Sequence, residues 1–262
     1  MGSLSLRARY QRHSVDEGVE YIEANFERGF VDWEMDPGEA GFVLVDCWDR
    51  HPIASHQKRA EEICNTRLVP AAEACREAGV AIIHAPSPPQ ARLYPQWTKF
   101  AGDRELFGAD EEPPAWPPEQ FRDKEGDYAQ FARPREPRHD AWVEAERDNR
   151  RIIACLEPRP EDFVIATGEQ LHRLCRHEGI VHLFYCGFAA NMCVPGRDYG
   201  MRAMQRRGYT IVLLRDGTTA IEAGHTVDDL ALTEASILEV EMLLGFTVTS
   251  AELIAACGAA AS

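Results

Sequence analysis

An aspartate and a cysteine each follow a run of apolar residues, and their types and positions suit nucleophilic chemistry. Asp46 closes Phe42-Val43-Leu44-Val45. An acid at a strand end can take and return a proton; a helix cap or an ion pair is the other reading open to it. Cys193 lies seven residues past Val181–Cys186, in Gly187-Phe188-Ala189-Ala190-Asn191-Met192-Cys193-Val194. Gly187 permits a sharp exit from a strand, and Pro195 suits a first helical turn. The spacing therefore predicts Cys193 at a helix N-terminus. There the macrodipole and free N–H groups favour a thiolate and can hold an oxyanion. Trp48 and His51 follow Asp46 closely enough to line the same pocket. Asp49 and His51 have the spacing of a metal pair, yet they follow the first strand alone, and no metal is expected. His84, at the end of another apolar run, is open to either pocket or core. Glu222 and His225 fall on the side of the fold where ligands are expected, or in a solvated loop.

The elements that must position these residues alternate. Buried, strand-like runs occur at Phe42–Asp46, Val80–His84, Phe163–Ile165, Val181–Cys186, Tyr209–Arg215 and Phe246–Val248. Helical patterns fall at Arg59–Ala78, Glu169–His177, about Pro195–Arg207 and Leu230–Leu244, and Ser250 caps a last short helix. Strands that are apolar throughout are buried on both faces. Their alternation with helices predicts a doubly wound, mostly parallel six-stranded α/β sheet with helices on both faces. Ligands in such folds sit beyond the carboxyl ends of the strands, where strand order reverses.

One stretch breaks the rhythm. Twelve of the 16 prolines lie between Pro86 and Pro160, together with Trp97, Trp116 and Trp142. Proline interrupts regular structure, but the aromatic content argues for order. The chain is therefore expected to be a single domain over 1–262 with an ordered insertion at about 86–160, serving as a lid or an interface.

Composition narrows the partners. With 43 acidic against 28 basic residues, the formal net charge is −15. Such a surface repels nucleic acid and anionic lipid. No apolar run reaches the roughly 20 residues of a membrane span, and the N-terminus has no secretory pattern. The eight cysteines form no Cys-x-x-Cys pair. They read as small buried hydrophobes in a reducing, cytoplasmic compartment, Cys193 excepted. No dinucleotide or phosphate loop is present, so no cofactor is expected. The expected partner is a small-molecule substrate.

The residues 187–194 resemble the Gly-(apolar)-Ala/x-Thr/Ala-Asn/Asp-x-Cys-Val signature of isochorismatase-like cysteine hydrolases. That superfamily includes nicotinamidases, ureido-acid and biuret hydrolases, and N-carbamoylsarcosine amidase. Tyr199, Met201, Gly208–Val212 and Arg215-Asp216 match its continuation, and Val43–Asp46 resembles its first strand and acid. The resemblance covers about residues 40–86 and 162–257, without the insertion. It implies a Cys-Asp-Lys group that hydrolyses a small amide, ureide or carbamoyl C–N bond. Asp46 would deprotonate Cys193, the thiolate would attack the carbonyl, and Asp46 would protonate the leaving amine. It also implies a cis Phe188–Ala189 peptide, an oxyanion hole from the Ala189 and Cys193 N–H groups, substrate contacts from Phe188 and Asn191, and a homo-oligomer. Ala166 stands near the position of the family lysine. Of the three lysines, Lys58 sits in a surface helix, so Lys99 in the insertion is the first choice for the third member. Lys124, Arg133 and Arg135 follow. The alternatives are an enol-ether hydrolase relying on the acid, or a non-catalytic relative that has lost the lysine.

Overall fold

The computed structural model describes residues 2–108 and 115–261. Eight strands form one sheet: β1 (Leu4–Gln11), β2 (Arg28–Met35), β3 (Ala40–Val45), β4 (Ala81–Ala85), β5 (Phe163–Val164), β6 (His182–Phe188), β7 (Thr210–Thr219) and β8 (Phe246–Val248). Their order is β2-β1-β8-β7-β6-β3-β4-β5. The six strands expected from apolar runs are all present, and they run parallel to one another. The additional pair is β1 and β2, an antiparallel ribbon joined to β8 through Arg9 and Thr247. Its residues alternate rather than running apolar throughout: Leu4, Leu6 and Ala8 are buried while Ser5 and Arg7 are exposed. That is the pattern of a strand with one face in the core and one in solvent.

Alternate residues of each central strand feed two separate cores. Phe42 and Leu44 join one with Leu68, Ala71 and Cys75, and with Leu253 and Cys257 of the helix Ser250–Ala261. Val43 and Val45 join the other with Leu171, Leu174, Met201, Met204 and Ile237. This period-two split across a sheet with helices on both sides makes a three-layer α/β architecture. The helical pattern at 59–78 begins earlier than expected. It runs Ala54–Ile63, then a π turn Cys64–Leu68, then Val69–Ala78, and ends at Gly79 with φ +87°.

Topology locates the site. After β3 the chain moves outward to β4 and β5, then crosses back to place β6 on the other flank of β3. Strand order therefore reverses between β3 and β6, and the carboxyl ends of these two strands carry Asp46 and the Cys193 turn.

The insertion is built from short helical turns and one longer helix, Pro137–Glu146. Its two ends are tied to each other, Tyr94 accepting the Ile152 N–H at 3.0 Å, and Thr167 of the core donates to Glu105 at 2.6 Å. Its return segment pairs with the residues after Asp46, through a Trp48–Ile152 bridge and an Ile153 N–H donated to the Cys47 carbonyl at 2.9 Å.

Candidate active site

β3 ends in a tight change of direction. Asp46 has φ +47°, a left-handed conformation that Asp tolerates better than most residues. Its side chain is 1% exposed. Burial pushes the Asp46 carboxyl above its usual range, and the neighbouring Arg197 guanidinium opposes that rise. Arg197 donates twice to Oδ2, from Nε at 3.1 Å and from Nη2 at 2.8 Å. The same Nη2 donates to Ser87 Oγ at 2.6 Å, and Ser87 donates to Oδ1 at 3.4 Å. Burial also works against the charge on Arg197, but Asp46 outweighs it and holds the guanidinium firmly protonated. The two groups form an ion pair largely shielded from water.

Cys193 faces this pair. The chain leaves β6 at Gly187, where φ is +104° and a Cβ would lie 2.0 Å from the Val45 carbonyl oxygen. Only glycine fits that approach. The Phe188–Ala189 peptide is cis, as the family resemblance implies. Cys193 is half-buried, and Asp46 and the Ala189 backbone both bear on its thiol electrostatically. Burial, then the Asp46 charge, pushes the thiol up to about 12 against the pull of Arg197. The resting group is thus a neutral thiol beside a carboxylate.

This corrects the helix-terminus argument. The expected helix Pro195–Arg207 is broken into Cys193–Gly196 and Met201–Arg206. One four-residue turn supplies little dipole, so proton transfer to Asp46, rather than a standing thiolate, is the activation this geometry offers. The break also brings Asp198 to accept the Gly168 N–H at 2.8 Å, with Arg197 turned to Asp46.

Asp46, Trp48, His51, Phe188, Ala189 and Cys193 line one cavity of about 940 Å³. Asn191 does not. Its side-chain amide both donates to the Ile221 carbonyl at 3.0 Å and accepts the Ile221 N–H at 3.1 Å. It pins the loop after β7 instead of meeting a substrate.

Lys99 is likewise placed elsewhere. It is exposed, 4.0 Å from Glu178, with its ammonium over the Phe163 ring. That location lies beyond β5 at the sheet edge, because the start of the insertion packs against the helix Gly168–Glu178. Lys124 donates to the Phe121 carbonyl within the insertion. Arg133 and Arg135 reach the cavity rim, each paired with an acid of its own segment, Glu136 and Asp140. The insertion nevertheless brings a cation to the centre through Arg150. Its guanidinium lies 3.6 Å from the Trp48 ring centroid, is 8% exposed, and acts electrostatically on both Asp46 and Cys193.

Other expected positions resolve as structure. The Asp49 carboxylate accepts the Arg151 N–H at 2.9 Å and pairs with Arg50. His84 is buried against Asp162, which also holds Arg76. Glu222 accepts the Leu232 and Thr233 N–H groups and so caps the helix Ala231–Glu239.

Arg197, Arg150, Ser87 and His56 escaped the sequence reading. A signal existed for Arg197: it stands four residues after Cys193, one helical turn away, where two side chains share a face.

The isochorismatase domain model matches residues 40–243. The chain belongs to that family, a family of hydrolases. Among solved structures it resembles a cysteine hydrolase from Pseudomonas syringae pv. phaseolicola 1448A, at 15% identity and TM-score 0.53, over 87% of this chain and 96% of that one. It also resembles an isochorismatase family protein from Desulfovibrio vulgaris subsp. vulgaris str. Hildenborough, at 15% identity and TM-score 0.50, over 82% and 96%. At such identities the likeness is one of fold. No curated protein matches the sequence.

Proposed function

We propose that the protein is a thiol-dependent hydrolase of a small amide, ureide or carbamoyl compound, with Cys193 as nucleophile, Asp46 as proton carrier and Arg197 in place of the family lysine. The observation that carries this reading is the Asp46 carboxylate, bound by Arg197 at 2.8 Å and lining the same cavity as the Cys193 thiol, on which its charge acts. As Sγ attacks the carbonyl carbon, its proton passes to Asp46 and the carbonyl oxygen becomes an oxyanion. The Ala189 and Cys193 N–H groups, at the cis turn after β6, are the donors for that oxyanion. Collapse breaks the C–N bond, Asp46 returns the proton to the leaving amine, and a thioester remains on Cys193. Water, deprotonated by Asp46, then cleaves the thioester and frees the thiol. Arg150 lies at the same centre and adds positive charge near the developing oxyanion.

The thiol and the acid lining one cavity favour this route over enol-ether hydrolysis, which calls on the acid alone. The eight free cysteines fit a reducing, cytoplasmic setting. Among the described residues no helix is long and apolar enough to cross a membrane.

Incubation with amides, ureides and carbamoyl compounds, followed by acid quench and mass spectrometry, tests the covalent step. An acyl or carbamoyl adduct on the Cys193 peptide is expected with any compound that is turned over. Turnover with the adduct on another residue, or with none under burst conditions, contradicts it.

A further inference from the structure

Beside the nucleophile, two imidazoles are fixed in opposite tautomers. His56 Nδ1 lies 3.2 Å from the Ala220 carbonyl oxygen. A carbonyl only accepts, so this nitrogen carries the proton and Nε2 of the neutral ring is an acceptor. His51 Nδ1 instead accepts the Ile53 N–H at 3.2 Å. A backbone N–H only donates, so Nδ1 is the bare nitrogen and the proton sits on Nε2, a donor. Protonating His51 would set two N–H groups against each other. Burial also pushes both rings down to about 4. The ring centroids are 4.7 Å apart, both rings line the cavity that holds Cys193, and His56 stands edge-on to Phe188 at 6.1 Å. Both Nδ1 atoms are engaged with backbone. The Nε2 atoms, which form no hydrogen bond among the described residues, are the polar edges left to meet a guest.

We propose that His51 and His56 form a donor–acceptor pair that recognises an uncharged amide-type group of the substrate, separate from the bond that is cut. The proposal rests on the hydrolase reading above and deepens it: the substrate carries two amide-type groups, as a diamide or a ureide does. The carbonyl oxygen of the second group accepts from His51 Nε2, and its N–H donates to His56 Nε2. The scissile carbonyl must occupy the Cys193–Ala189 turn, so the pair serves the other end of the molecule. A carboxylate there would set an acceptor against the His56 lone pair, and an ammonium would set a donor against the His51 N–H; a buried polar group left unpaired is costly. The two arginines that line the cavity are already engaged, Arg133 with Glu136 at 3.0 Å and Arg135 with Asp140 at 3.2 Å.

Calorimetric titration of the Cys193→Ala protein with oxamide, malonamide and succinamide, and with their half-acids oxamate, malonamate and succinamate, tests this without turnover. At least one diamide should bind about tenfold or more tightly than its half-acid. His51→Phe in that background should bring the two together, and His51→Gln, which restores an N–H donor, should recover most of the difference. The preference in the Cys193→Ala protein is itself decisive should His51→Phe fail to fold. Half-acids that bind as well as the diamides, no binding of any of the six at millimolar concentration, or a preference that survives in folded His51→Phe overturns the assignment. A wrong hydrolase reading shows elsewhere, as a missing Cys193 adduct in the wild-type protein.

Discussion

At the scale of single residues, the site turns on how Asp46 stays charged while it is 1% exposed. Two hydrogen bonds from Arg197 to one of its oxygens supply the answer. Removing that cation disfavours the carboxylate and raises the Asp46 pKa further. Activity that needs ionised Asp46 must then fail at higher pH as acid is added. Arg197→Gln should therefore shift the acid limb of the kcat/KM profile upward by about one unit or more, and Arg197→Lys should shift it less. An unmoved limb would assign Arg197 to structure alone. Strand ends and a glycine-led turn made Asp46, Cys193, Trp48 and His51 legible, and the family resemblance pointed to Phe188 and Ala189. For Arg197 the sequence carried only a spacing signal: a continuous helix puts residues 193 and 197 on one face but does not aim Arg197 at Asp46. The break in that helix goes with a tertiary contact, Asp198 with the Gly168 N–H, that no local pattern encodes. Charge and segment point to Lys99, but the segment begins at the opposite side of β4 from the nucleophile.

At the scale of elements, the crossing between β3 and β6 is held by a backbone contact too close for any side chain. Gly187→Ala would place a methyl group 2.0 Å from the Val45 carbonyl oxygen, at φ +104°. It should destabilise the fold by more than about 1 kcal/mol and displace the Cys193 turn. Thermal denaturation checks the first effect, and an unchanged melting temperature would contradict the account of this turn. Strands that are apolar throughout announced themselves, and all six were recognisable. The ribbon β1–β2 was not, although Leu4, Leu6 and Ala8 carry the period-two signal. Its outer face is polar, and arginines at alternate positions make the segment look like a solvated terminus. The short turns of the insertion were not legible, because proline-rich segments take their shape from the surface they cover.

Across the whole molecule, the insertion divides into a part that covers the cavity and a part that leaves large apolar side chains in solvent. Phe107 is 80% exposed, Trp116 77% and Phe131 59%. Aromatic side chains dominate interface energetics when covered. The protein is therefore expected to form a homo-oligomer, with Trp116→Ser and Phe131→Ser together weakening it. Light scattering at micromolar concentration checks this, and a monomeric mass would contradict it. The −15 net charge lies outside this argument; it disfavours polyanionic partners and leaves a small uncharged substrate unaffected.

The central claim is that the Cys193 sulfur does the chemistry, and the rate of ammonia release answers it most directly. On any primary amide or ureide that the wild-type protein hydrolyses, Cys193→Ala should keep less than a few per cent of the rate while its melting temperature stays near the wild-type value, roughly the loss expected when a covalent nucleophile is removed. A Cys193→Ala protein that releases ammonia at a rate comparable to the wild type would contradict the account.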